Sequence, residues 1–95
     1  MPAAMESVRL RITGNVQGVG YRLWATRQAA RLGLRGWVRN RADGSVEALV
    51  TGDSDPVAAM IEACRTGPPG ARVANVAVAP DEDDGSVGFE ARPTE

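Results

Sequence analysis

Histidine and lysine are both missing from the 95-residue sequence. Without histidine, the chain lacks the commonest general base near neutral pH and the commonest metal ligand. Without lysine it can form no Schiff base, and it cannot build a P-loop, whose lysine reaches the phosphates. All eleven basic residues are arginine, a usage that compositional bias accounts for. Cysteine occurs once, at Cys64, which excludes an internal disulfide and a zinc site built on paired thiolates. A single thiol fits a reducing compartment, so the cytoplasm is the expected location. Long apolar runs are absent. None approaches the roughly 18 residues of a membrane helix, and "MPAAMESVRLRI" has no apolar core for a signal peptide. The net charge of −1 gives no global field to attract nucleic acid or an anionic membrane. Neither partner is expected, and a monomer is the expected state.

At this length a single domain over residues 1–95 is expected, with residues 1–6 as a frayed tail. "SVRLRIT" alternates Val8, Leu10 and Ile12 against Arg9 and Arg11, the pattern of a half-buried strand. After a glycine-rich loop at 14–20 the period changes. Tyr21, Ala25, Ala29 and Leu32 recur at helical spacing, and Gly33 supplies a left-handed helix end. "RGWVRN" and "SVEALVTG" read as two strands joined by a turn at Asp43-Gly44. A second helix begins with Asp55 as cap and Pro56 at its first position, with Val57, Met60, Ile61 and Cys64 as its apolar stripe. "RVANVAVA" is a fourth strand of imperfect phase, and "VGFEARP" a short strand at an edge, closed by Pro93. The order β-α-β-β-α-β with an added strand predicts an α+β, ferredoxin-like split βαβ sandwich. Two helices pack on one face of an antiparallel sheet, with the first and third strands central.

The stretch "GNVQGVGYR", Gly14 to Arg22, joins the first strand directly to the first helix. The opening amides of a helix have no internal acceptors, and the dipole is positive there. Glycines let successive N–H groups turn toward one point, which makes a nest for an anion such as phosphate. Arg22 falls in the first helical turn, where its planar fork can grip two phosphate oxygens. The loop alone leaves a second reading open, a tight turn beside a surface arginine. Mononucleotide and dinucleotide motifs fail, because G-x-G-x-x-G would need glycine where Leu23 stands.

"GNVQGVGYR" followed by "LGLRGWVRNRADGSVEALVTGD" resembles the acylphosphatase family, whose pattern runs G-x-V-Q-G-V-x-[FY]-R, then G-W-V-x-N, then D-G-x-V-E. All three parts are present in order, and the match spans residues 8 to 53. The resemblance implies hydrolysis of acyl phosphates to a carboxylate and inorganic phosphate, with no metal and no cofactor. It implies that Arg22 binds the phosphate and that Asn40 orients the attacking water. The cradle would be the amides of Asn15, Val16, Gln17, Gly18, Val19 and Gly20. Two departures are visible. Asn15 stands where many members carry a basic residue, and Gly20 where some carry a bulky one. On spacing alone Asn40 also reads as a polar cap on the hairpin.

The chemistry is consistent with the missing residues. Phosphoryl transfer from a mixed anhydride asks mainly for positioning and charge stabilisation, which amides and one guanidinium supply. Asn40 is no base at neutral pH, since its amide only donates and accepts hydrogen bonds. The water's proton is therefore expected to go to an oxygen of the substrate's own phosphate. Other signals read as structural. The "DEDD" run at Asp81–Asp84 reads as a solvated turn. Glu47, Glu62, Arg39 and Arg41 read as solvent-facing charges, and Trp24 and Trp37 as packing between helices and sheet. The alternative function is a non-catalytic ferredoxin-like binding or regulatory module. Four aromatics and no RNP-like run count against its RNA-reading form.

Overall fold

A computed structural model describes residues 5–95. The elements are β1 (Met5–Asn15), α1 (Tyr21–Arg31), β2 (Arg35–Asn40), β3 (Val46–Asp53), α2 (Ser54–Thr66), β4 (Arg72–Pro80) and β5 (Phe89–Arg92). They form one sheet in the order β4-β1-β3-β2-β5, with β1 and β3 central as the crossovers require. The alternating residues of β1 meet those of β3 in register, Leu10 opposite Ala48 and Ile12 opposite Val46, so one face of the sheet is continuously apolar. Onto that face α1 lays Tyr21, Ala25 and Ala29, and α2 lays Val57, Met60 and Cys64. Burying one such aliphatic side chain contributes about 1.5–3 kcal/mol. Burial pushes the Cys64 thiol up to about 11, so this residue is core rather than nucleophile.

Several expectations need correction. Met5 and Glu6 are not a tail: they pair with Asp53 and Gly52 at the end of the β1–β3 ladder. The rest of the expected tail, residues 1–4, lies outside the described residues. Helix α2 starts earlier than expected, at Ser54 behind Asp53, which puts Pro56 at its third position. That position is still in the first turn, where a missing N–H breaks no helical bond. The uneven phase of β4 has a local cause. Thr13 faces Asn75 but Gly14 faces Val73, so Ala74 is an extra residue that resets the alternation.

The sheet is mixed rather than antiparallel, because β5 pairs parallel to β2. Strand β4 lies at one edge and β5 at the other, with residues 81–88 crossing between them. A chain that crosses at one end of a sheet returns in the direction opposite to β4, and that is the direction of β2. The crossing segment is held to β1 and β2. Asp81 pairs with Arg9 at 2.7 Å, Asp83 with Arg35 at 2.5 Å, and Asp84 accepts from the Trp37 indole N–H at 3.1 Å. The acidic run is thus a strap with partners. Among the described residues no three His, Cys, Asp or Glu side chains form a metal-binding group.

Trp37 follows the buried Gly36 and precedes Val38 of the helix-side core, so it points to the opposite face. There the guanidinium carbons of Arg9, Arg39 and Arg92 stand 5.1, 4.7 and 5.0 Å from its ring centre. Glu47 accepts from Arg9 at 3.0 Å and from Arg39 at 2.8 Å. Burial would raise its carboxyl pKa, but the two arginines hold it below its ordinary value. Glu47 and Arg39 are therefore packed, with side chains 18% and 16% exposed, not solvated as their strand positions suggest. Trp24 does lie against the helix-side core, and Glu62 is on the surface beside Arg65.

Candidate active site

The chain leaves β1 at Asn15 and enters α1 at Tyr21 through five residues. Gly18 and Gly20 have φ of 73° and 78°, the left-handed region. A Cβ at either would meet nothing within 4 Å, so backbone conformation rather than space requires glycine here. Among the described residues the amides from Val16 to Gly20 donate to no other group of the chain. The first bond of the helix runs from the Trp24 N–H to the Gly20 carbonyl at 3.0 Å. No acidic side chain occupies the first turn, so the helix does not offset the positive end of its own dipole.

Three contacts fix the loop. Val16 is fully buried in the core and Val19 packs against it. The Tyr21 hydroxyl donates to the Cys64 carbonyl at 2.7 Å, which ties the start of α1 to the end of α2. Burial, with Cys64 adjacent, raises the Tyr21 pKa far above its ordinary value. The Gln17 side-chain amide donates twice, to the Arg41 carbonyl at 2.8 Å and the Ser45 carbonyl at 2.9 Å. That fork clamps the loop to the β2–β3 turn, just beyond Asn40. Sequence reasoning credits Gln17 with its backbone only, because its two partners lie 24 and 28 residues away. Replacing it with leucine is expected to lower activity about tenfold or more through misplacement of the loop. Steady-state kinetics beside a thermal melt checks this: a fall in Tm with unaltered kcat/KM would show that the clamp only stabilises.

A cavity of about 390 Å³ opens beside the loop. Val16, Gln17, Gly18, Gly20, Arg22 and Asn40 all line it, together with Tyr21, Leu23, Thr26 and Ala91. Asn15 and Val19 do not. Asn15 is the exposed last residue of β1 opposite Arg72, and Val19 turns toward the core. Arg22 is half-buried, and one guanidinium nitrogen donates to the Arg92 carbonyl at 3.0 Å. Among the described residues no carboxylate lies within ion-pair distance of it. Asn40 ends β2, and its main-chain carbonyl accepts from the Glu95 N–H at 3.0 Å. Its side-chain amide has no hydrogen-bond partner among the described residues. The cavity is thus lined by loop residues whose amides are unbonded among the described residues, by one arginine without a carboxylate partner and by one asparagine whose carboxamide has none. Such a set suits a tetrahedral oxyanion and a polar molecule beside it.

The fold is an α+β sandwich with an open cavity and a glycine-rich loop at the start of its first helix. Comparison with known proteins agrees. The sequence profile described as acylphosphatase matches residues 8–91. An acylphosphatase of Rhizobium etli is 58% identical over 75% of this chain and 76% of its own length. One from Rhodospirillum rubrum is 51% identical over 95% of this chain and 99% of its own. The solved structure of an acylphosphatase from Coxiella burnetii superposes with a TM-score of 0.89 at 32% identity, covering 93% of each chain. The chain belongs to the acylphosphatase family, hydrolases of acyl phosphates. Among the described residues no helix is long and apolar enough to cross a membrane.

Proposed function

We propose that the chain hydrolyses acyl phosphates without metal or cofactor, as a cytoplasmic monomer, with the phosphate held by the amides of Val16, Gln17, Gly18 and Gly20 and by Arg22. Asn40 orients a water in line with the bond to be broken. The water's oxygen bonds to phosphorus as the bond from phosphorus to the acyl oxygen breaks. The electron pair leaves on the carboxylate, and the water's proton passes to a phosphate oxygen. No side chain needs to act as a base, which suits a cavity whose one ionisable phosphate-side group is Arg22.

The observation that carries this reading is the meeting in one cavity of Arg22 and Asn40, both with side-chain hydrogen-bonding capacity unspent among the described residues. The test is phosphate release from acetyl phosphate in excess EDTA. Turnover that survives the chelator and is inhibited competitively by inorganic phosphate is expected. Loss of turnover on chelation, restored by a divalent cation, would overturn the metal-free mechanism.

A further inference from the structure

The cavity is larger than the reacting group. A water takes about 30 Å³ of liquid volume, and a phosphate has five heavy atoms, so much of the 390 Å³ borders something else. That remainder is walled by Tyr21, Leu23, Thr26 and Ala91. The Tyr21 hydroxyl proton is spent on the Cys64 carbonyl, and the Thr26 hydroxyl proton on the Arg22 carbonyl at 2.8 Å. Leu23 and Ala91 carry no polar side-chain atom. Leu23 is 56% exposed and belongs to no core cluster, although it follows Arg22 directly in the first turn of α1. Single exposed apolar side chains are ordinary; what sets Leu23 apart from the exposed Met5, Val78 and Val87 is that it lines this cavity.

We propose that this wall selects acyl phosphates whose acyl group is apolar, with Leu23 as the main specificity-determining residue. The proposal rests on the phosphate reading of the inner half of the cavity. With the phosphate against the loop amides and Arg22, the acyl group extends over Leu23, Thr26 and Ala91, where no side chain has a donor free for a polar substituent. An acyl chain with a second carboxylate would compete for Arg22, and one with an ammonium group would be repelled by it. Each added methylene of the substrate instead removes apolar surface from water on both sides.

The experiment compares kcat/KM for butyryl and acetyl phosphate, whose leaving carboxylates are similarly basic, so the ratio reads the wall rather than the chemistry. The wild type is expected to favour butyryl phosphate about fivefold, allowing for a contact that stays partly exposed. Leu23→Ser should bring the ratio close to one, and Leu23→Phe should raise it. Succinyl phosphate should be a poorer substrate than butyryl phosphate. A ratio that neither Leu23 variant changes, or a wild type that prefers acetyl or succinyl phosphate, overturns the proposal. Arg22→Ala is assayed on acetyl phosphate in parallel. If it stays active, the phosphate reading itself fails. If it is inactive while the Leu23 ratios stay flat, the wall alone fails.

Discussion

Arg22→Ala is expected to lose about 10³-fold in kcat/KM on acetyl phosphate, about 4 kcal/mol of transition-state stabilisation. The residue offers the one cationic side chain lining the cavity, and no carboxylate of the described residues neutralises it. Charge spreads over the equatorial oxygens as the phosphoryl group transfers, so under the proposed mechanism a planar fork held in place would act where charge develops. Inhibition by inorganic phosphate should weaken in the same variant, because the ground state uses the same contact. Arg22→Lys keeps the charge and loses the fork, and it should recover only part of the activity. The fold should tolerate all of this, since among the described residues the Arg22 side chain makes one hydrogen bond, to the Arg92 carbonyl, and the residue is only half-buried. Kinetics and phosphate inhibition measured beside a thermal melt decide the matter. An alanine variant with wild-type kcat/KM would remove Arg22 from the site.

Asn40→Ala should behave differently. Its side-chain amide has no hydrogen-bond partner among the described residues, and the residue lines the cavity from another element, the end of β2. If it places the water, the loss falls on kcat, by about 10²–10³, with KM and phosphate inhibition close to wild type. The backbone is not at risk, because the Asn40 carbonyl that accepts from Glu95 is kept in the variant. A variant that raises KM and spares kcat would make Asn40 a binding group instead. The contrast between Arg22, which should lose binding and turnover, and Asn40, which should lose turnover alone, separates the two roles.

The strands, the helices and the central pairing of β1 with β3 were legible because each rests on local periodicity, and their joining on the handedness of crossovers. The candidate site could be named from the sequence where its residues are compact in the chain, as in the loop and Arg22, or carried by a short motif, as with Asn40; Val16, Gln17, Gly18, Gly20, Arg22 and Asn40 line one cavity. The rest depends on contacts between distant residues. Gln17 reaches the β2–β3 turn, and Arg92 supports Arg22 across 70 residues; neither leaves a pattern in the sequence. Trp37 was assigned to the wrong face for a related reason. Alternation along β2 separates two faces but does not say which one the helices cover. Here the other face is covered too, by the strap of residues 81–88 and by arginine guanidinium groups. The direction of β5 followed from where that strap crosses, and nothing in "VGFEARP" encodes it.

The support that Arg22 and Asn40 receive from the segment around β5 bears on the order of events during folding. Arg22 rests on the Arg92 carbonyl, and Asn40 is met by the Glu95 amide. These contacts close long stretches of chain, and such closures are entropically late compared with hairpins and helices. A chain that has formed its core but not yet docked this edge strand would hold the cradle with its guanidinium unanchored. Gain of catalytic activity would then report the last step of assembly rather than the collapse of the core.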